Sequence, residues 1–221
     1  MDSLTAFKTL VKERHSVRLF QKDKEIPKET LKSIISVALD APSWCNSQPW
    51  NVYVASGKTL SEIRTEWIQK NKNGVKGYSD LEPGHRTDFS ERSQQVMGTL
   101  FKQVGELLKD PTMKAFSDSQ VILFNSPSLV YLTLPKKRIP YSILDLGGLM
   151  QNIMLSAKAH GVDSLVAYES IKYPDIIRKY CKVPDDEDII IGIGLGYESN
   201  DDMNKFRATK LATEEACHFY D

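Results

Sequence analysis

The residues best suited to chemistry fall in two short stretches. Ala41 to Trp50 reads Ala-Pro-Ser-Trp-Cys-Asn-Ser-Gln-Pro-Trp and carries no charge. Ser43, Asn46, Ser47 and Gln48 offer donors and acceptors together without the desolvation cost of a buried ion. Such a set suits a neutral heterocycle whose edge alternates donors and acceptors, with a Trp available to pack on its face. An ordinary polar turn uses the same residue types, but two Trp and two Pro shift the reading towards a binding loop. The other stretch is Arg14-His15-Ser16-Val17-Arg18. If extended, it points Arg14, Ser16 and Arg18 the same way, because side chains alternate along a strand. Two guanidiniums and a hydroxyl on one side make a phosphate clamp; a solvated basic turn is the plainer reading of that stretch alone.

The elements that would position these residues are written in the apolar periodicity. Ser3 to Glu13 reads as a helix with Ser3 as N-cap and Leu4, Phe7, Leu10 and Val11 as its stripe. Pro27 to Leu39 reads as a helix opened by Pro27, with Leu31, Ile34, Ile35 and Ala38 on one face. Asn51 to Ala55 follows as a strand, so Ala41–Trp50 is a helix-to-strand loop, with Pro42 and Pro49 restricting φ at its two ends. Asn71 to Ser93 is polar and aperiodic, the pattern of a long mobile lid or a disordered segment. Gln94 to Lys109 reads as a helix stopped by Asp110-Pro111. Val121–Phe124 and Leu129–Leu134 are apolar and β-rich, and the second is expected as a buried strand.

Ser142 to His160 carries the strongest helical pattern. Ser142 and Asp145 make a capping-box-like start, and Gly161 suits the first position beyond the end. Apolar residues run around most of its circumference, which predicts burial on most sides, as a central helix or a subunit interface. Gly147-Gly148 inside it costs about 1 kcal/mol per glycine against alanine, so close approach of another backbone is expected there. Val162–Tyr168 is a short β-rich segment. Tyr173-Pro174 opens a helix through Tyr180, Ile189–Tyr197 is a strand, and the tail from Glu198 is polar with basic Lys205, Arg207 and Lys210.

Several function classes drop out. The chain of 221 residues has 29 Lys+Arg and 29 Asp+Glu, and that balance gives no basic surplus for nucleic acid or an anionic membrane. No apolar run is long enough to span a bilayer, and no basic, apolar leader opens the chain. Three scattered Cys exclude a clustered zinc site and fit a reducing cytosol. His85, Asp88 and Glu91 have ligand-like spacing but no second cluster to complete a site. Gly192-x-Gly194-x-Gly196 lacks the dinucleotide-binding spacing and leads into no helix, so it reads as a strand packed against a close neighbour. With no Ser/His/Asp or Cys/His grouping and no nucleophile elbow, an enzyme of this sequence would leave the hard chemistry to a cofactor.

Arg14-His15-Ser16-Val17-Arg18-x-Phe20 resembles the N-terminal signature of the FMN-dependent nitroreductase family. Ala41-Pro42-Ser43-x-x-Asn46-Ser47-Gln48-Pro49-Trp50 resembles its second signature, and Gly196-Tyr197…Asn204-Lys205-Phe206-Arg207 is similar to its C-terminal one. The resemblance implies one α+β domain over residues 1–221, with a central, mainly antiparallel sheet flanked by helices. It further implies an intertwined homodimer with two FMN sites at the interface. By position, Arg14, Ser16, Arg18, Lys205 and Arg207 would hold the phosphate and ribityl chain, with His15 contributing backbone contacts. Pro42, Ser43, Trp44 and Asn46 of the second subunit would reach the same flavin, with Gln48 nearby. Val166-Ala167-Tyr168-Glu169 would face the flavin N5 edge, placing Tyr168 and Glu169 in the site; relatives often carry a Pro and a Gly there and this chain has neither.

The implied activity is a cytoplasmic oxidoreductase without a catalytic side chain of its own. It would take hydride from NAD(P)H and pass electrons to a nitroaromatic, a quinone or a related acceptor. The alternatives are another reaction of the same fold, such as a dehalogenase or ene-reductase, a flavin-binding sensor or storage protein with little turnover, and a flavin-free interaction module.

Overall fold

In the computed structural model, which describes residues 2–109 and 113–220, the apolar repeats fold into helices around an antiparallel sheet. Helix α1 (Ser3–Glu13) is capped one residue earlier than expected: the Asp2 carboxylate accepts from the Thr5 N–H at 3.0 Å. Helix α2 (Lys28–Ala38) follows Pro27 and buries Leu31, Ile34 and Ala38. After the 41–50 loop, β1 (Asn51–Ser56) runs directly into α3 (Gly57–Lys72), a helix the patterning above leaves unassigned. Its Leu60, Ile63 and Trp67 are spaced for one face, and all three are buried.

Residues 73–90 are docked rather than loose. Tyr78 N–H donates to the Lys172 carbonyl at 2.9 Å, the Tyr173 hydroxyl donates to the Val75 carbonyl at 2.9 Å, and Asp80 pairs with Arg178 at 2.6 Å. The segment looks aperiodic because polar anchors, not an apolar face, hold it. His85 and Asp88 form a capping turn, with the His85 N–H donating to the Asp88 carboxylate. Among the described residues no three His, Cys, Asp or Glu side chains gather as a metal site.

Helix α4 (Glu91–Leu108) starts three residues before the expected point, at a Ser90 side-chain cap; its expected stop, Asp110-Pro111, lies outside the described residues. The run Val121–Phe124 is not extended. Val121 ends α5 (Lys114–Val121), and Leu123, Phe124 and Asn125 turn with φ of 51°, 57° and 56°. Both Leu123 and Phe124 are buried in that turn, so their apolar character reports burial rather than a strand.

The remaining elements are β2 (Ser128–Pro135), α6 (Tyr141–Ala159), β3 (Asp163–Val166), α7 (Pro174–Cys181), β4 (Glu187–Gly196) and the short α8 (Thr213–Ala216). Strand order is β1-β2-β4-β3, with every neighbouring pair antiparallel. β2 is buried on both faces: Val130, Leu132 and Leu134 join the core with α2 and α6, whereas Leu129 and Tyr131 join that with α3 and α7. The fold is thus α+β. No helix among the described residues is long and apolar enough to cross a membrane.

Two features of α6 differ from expectation. Its first residue follows Pro140, whose ring already fixes the entry, and Ser142 is buried without a capping hydrogen bond. Leu144 is 68% exposed, and a Cβ on Gly147 or Gly148 would meet nothing within 4 Å, so within one chain this face is uncovered. The other end agrees: Gly161 sits just past the helix at φ +70°.

The glycines of β4 do pack closely. A Cβ on Gly196 would lie 2.6 Å from Pro127 and 2.7 Å from the Phe20 ring. Gly196→Ala is therefore expected to lower the urea midpoint, costing about 1–3 kcal/mol. Gly98→Ala, in open space on α4, is expected to raise it through the roughly 1 kcal/mol helix preference of alanine. Equal midpoints for the two variants would contradict the packing described here.

Candidate functional site

Beyond α1 the chain runs along the end of the sheet. Ser16 bridges Ser164, the Val17 N–H donates to the Ser164 carbonyl at 3.1 Å, and Phe20 bridges Glu198. Val17 and Phe20 turn into the core, at 0% and 1% exposure, which leaves Arg14, Ser16 and Arg18 half-buried at the surface. The His15 ring is pinned between the Glu13 carbonyl and Glu198 at 2.9 and 3.3 Å.

A residue that the reading of the motifs did not place in the site holds this segment to the tail. Asn204 is 1% exposed. Its Oδ1 accepts from the Arg18 and Leu19 N–H groups at 2.8 and 3.2 Å, and its Nδ2 donates to the Leu19 and Ser199 carbonyls at 2.7 and 3.0 Å. One amide thus satisfies backbone groups of both segments at once. The signal was present in the third motif, where Asn204 directly precedes Lys205, but only the fold shows that it points inward.

The clamp brings Arg18 and Arg207 together. The Arg18 guanidinium donates to the Ser16 carbonyl at 3.0 Å and lies 5.4 Å from the Phe206 ring centroid. Burial pulls its pKa below the ordinary arginine value, and the neighbouring positive Arg207 pushes the same way. Arg207 donates to the Asn204 and Phe206 carbonyls. Among the described residues neither guanidinium, nor that of Arg14, has a carboxylate partner, whereas the exposed Lys205 pairs with Asp202 at 2.6 Å. Adjacent cations without a counter-charge form a ready anion site.

Just beyond Ser164, β3 ends in the segment expected to face a flavin edge. The Ala167 N–H is taken by the Gly192 carbonyl, while the N–H groups of Tyr168 and Glu169, which open a short turn, have no acceptor among the described residues. Val166, the last residue of β3, and Ala167 lead into this turn without a Pro or Gly, and neither has positive φ. The Glu169 carboxylate pairs with Lys172, which also donates to Asn71 at 2.8 Å. Tyr168 is 44% exposed with its hydroxyl 3.3 Å from Ser79.

The amide-rich loop lies elsewhere. Trp44 stacks over Tyr141, ring centroids 4.9 Å apart, and its backbone N–H donates to the Asp145 carboxylate at 3.1 Å. Asp145 therefore anchors the loop instead of capping α6. Gln48 donates from its backbone to Ser43 Oγ and from its side chain to Asn46 Oδ1. Cys45, Asn46 and Gln48 hold φ of 49°, 57° and 43°, and their side chains, like Pro42, are exposed. Three non-glycine residues in the left-handed region within four positions is a costly backbone for an ordinary turn.

The structure therefore joins the segment carrying Arg14, His15, Ser16 and Arg18 to the tail carrying Lys205 and Arg207 through Asn204, and bridges Ser16 to Ser164 in the strand that leads to the Tyr168–Glu169 turn. It sets Pro42, Ser43, Trp44, Asn46 and Gln48 apart. The loop rests on the first turn of α6, about 27 Å long at 1.5 Å per residue, while Ser16 joins the strand that follows its last turn. No hydrogen bond, ion pair or ring contact links the two groups among the described residues.

Comparison with known proteins gives a consistent result. A model described as the nitroreductase family matches residues 11–197. The chloronitrobenzene nitroreductase of Comamonas testosteroni is 29% identical over 218 residues, covering 95% of each chain. The nitrobenzene nitroreductase of Ectopseudomonas oleovorans is 28% identical over 217 residues, again covering 95% of each. Among solved structures, the FMN-dependent nitroreductase NfnB from Mycobacterium smegmatis in complex with NADPH matches with a TM-score of 0.91 at 25% identity, over 100% of both chains.

Proposed function

We propose a reaction for this chain from the premise that it belongs to the nitroreductase family: it is an NAD(P)H-dependent FMN oxidoreductase that reduces a nitroaromatic, quinone or related acceptor. One observation carries the reading. Arg18 and Arg207 are held together by the buried Asn204 without a carboxylate partner, and a phosphate supplies the charge they lack. The donor set fits FMN along its length. Arg14, Ser16, Arg18, Arg207 and Lys205 would take the phosphate and ribityl chain, and the free N–H groups of Tyr168 and Glu169 would take the isoalloxazine edge. FMN, when bound, supplies the redox chemistry, receiving two electrons as hydride from NAD(P)H and passing them to the acceptor.

The loop residues Ser43, Trp44 and Asn46, with Gln48 nearby, enter this reading from a second copy of the chain. Uncovered apolar surface supports that assembly. Leu4, Phe7 and Val11 of α1 are 58%, 57% and 43% exposed at helical spacing, and Tyr141 and Leu144 face outward on α6 beside Gly148. A homodimer covers both faces and lets the glycine notch meet a neighbouring backbone. Use of NAD(P)H is consistent with a cytoplasmic enzyme, and the three free cysteines fit a reducing compartment.

Anaerobic mixing with NADH or NADPH tests the activity. The flavin absorbance is expected to bleach and to return when an acceptor is added. A holoprotein that stays oxidised with both nucleotides would instead support a sensor or storage role.

A further inference from the structure

We infer that Ser170 is a positioning residue for the electron transfer: its buried hydroxyl, lodged over Gly192, fixes the direction of the Tyr168 and Glu169 N–H groups. This rests on the flavin reading above, in which those two groups meet the isoalloxazine edge.

The turn Tyr168–Ile171 is held from beneath. Both the N–H and the hydroxyl of Ser170 donate to the Ala167 carbonyl, at 2.9 and 2.7 Å, so one residue occupies both lone pairs of that oxygen. The Ala167 N–H in turn donates to the Gly192 carbonyl of β4 at 2.8 Å. With no Pro from Val166 to Ile171, no ring stiffens this stretch, and the Ser170 bonds do so instead. Ala167 and Ser170 are 1% and 0% exposed, so the contact lies inside one chain whatever covers Tyr168 from outside.

Strand β4 makes room for the hydroxyl. A Cβ on Gly192 would stand 2.1 Å from Ser170 Oγ, yet 3.4 Å from Ser170 Cβ and 3.5 Å from the Ala167 carbonyl oxygen. Only the serine oxygen stands in the way of a side chain there. A methyl at 192 therefore drives Oγ off its acceptor, and removing Oγ makes space for the methyl.

A donor directed at the flavin N5 pairs with its lone pair in the oxidised form and faces an N–H once hydride has been taken up. Loosening the turn weakens the hold on oxidised FMN and leaves that on reduced FMN in place. Ser170→Ala, Gly192→Ala and the double variant are compared as holoproteins by potentiometry and as apoproteins by thermal melting. In all three, oxidised FMN is expected to bind roughly 3- to 10-fold more weakly, a rise of about 15–30 mV in the two-electron midpoint potential. Gly192→Ala is expected to melt lowest, and Ser170→Ala added to it to restore most of that loss. Arg18→Ala, which acts on the phosphate and so on both redox states alike, is expected to keep the parent's potential. Variants that melt lower at the parent's potential would make Ser170 structural and overturn the inference. So would a Gly192→Ala protein matching the parent in both measurements, or an equal shift in Arg18→Ala. The underlying reading fails separately, in a parent chain that takes up no FMN.

Discussion

Asn204→Leu is expected to lower the melting temperature by about 5–15 °C and to yield protein that loses FMN on gel filtration. Leucine approximates the shape of asparagine but keeps none of its hydrogen bonds. The Arg18 and Leu19 N–H groups lose their acceptor at a position only 1% exposed. Each buried donor left without a partner costs about 1–3 kcal/mol. The Leu19 carbonyl keeps its bonds from the Ser199 N–H and hydroxyl, which limits the damage to those donors. Flavin loss follows from geometry, because Asn204 sets the distance between the segment carrying Arg18 and the tail carrying Arg207. Asn204→Asp keeps the acceptor but turns a buried carboxylate oxygen towards the Leu19 and Ser199 carbonyls, so it is expected to destabilise as well. Calorimetry and the flavin-to-protein absorbance ratio check both variants. A melting point within about 2 °C of the parent for Asn204→Leu would show that the clamp holds nothing.

Arg18→Ala separates binding from folding. Charge-assisted hydrogen bonds contribute about 1.5–3 kcal/mol each, so FMN retention is expected to weaken by roughly 10- to 150-fold. The apoprotein should barely change in stability. Arg18 is a half-buried cation beside another cation, its pKa depressed by desolvation and by Arg207, and its packing on Phe206 and Phe116 is modest compensation for that repulsion. Fluorescence titration with FMN and thermal melts of the apoprotein check the two halves. Unchanged retention would remove Arg18 from the site, and a large loss of apoprotein stability would make its role structural.

Much of this architecture is readable in the chain because apolar periodicity reports which faces are buried. The helices beginning near Ser3, Lys28 and Tyr141 and the strands at Asn51, Ser128 and Glu187 all carry it. Where polar side chains decide the structure, the pattern is blind. Residues 73–90 look unstructured in sequence because Asp80, Tyr78 and Tyr173 dock them with hydrogen bonds. The turn at Leu123–Phe124 looks extended because buried residues are apolar whether or not they are in strands. Helix starts slip for a related reason, since Asp2 caps where Ser3 was expected and Pro140 precedes the helix expected to open at Ser142.

The site divides along the same line. Arg14, Ser16, Arg18 and Arg207 stand out by charge and spacing, and the fold brings their segments together. Asn204 and Asp145 do not stand out, because an amide and a carboxylate acquire their positioning roles only from the backbone groups that tertiary structure puts within reach. The Ser43–Gln48 loop is recognisable by composition, yet a single chain leaves it apart from the arginines, its amide and hydroxyl groups bonded to one another. In the homodimer we propose, that loop would reach the flavin held by the other chain.

Native mass spectrometry of the FMN-loaded protein tests that claim most directly. The account predicts a species of twice the 25.0 kDa chain mass carrying two FMN, with flavin lost as the chains separate on dilution. A single chain that keeps its FMN would show that Arg18, Arg207 and Asn204 complete the site without the loop of a second copy, and would contradict the account.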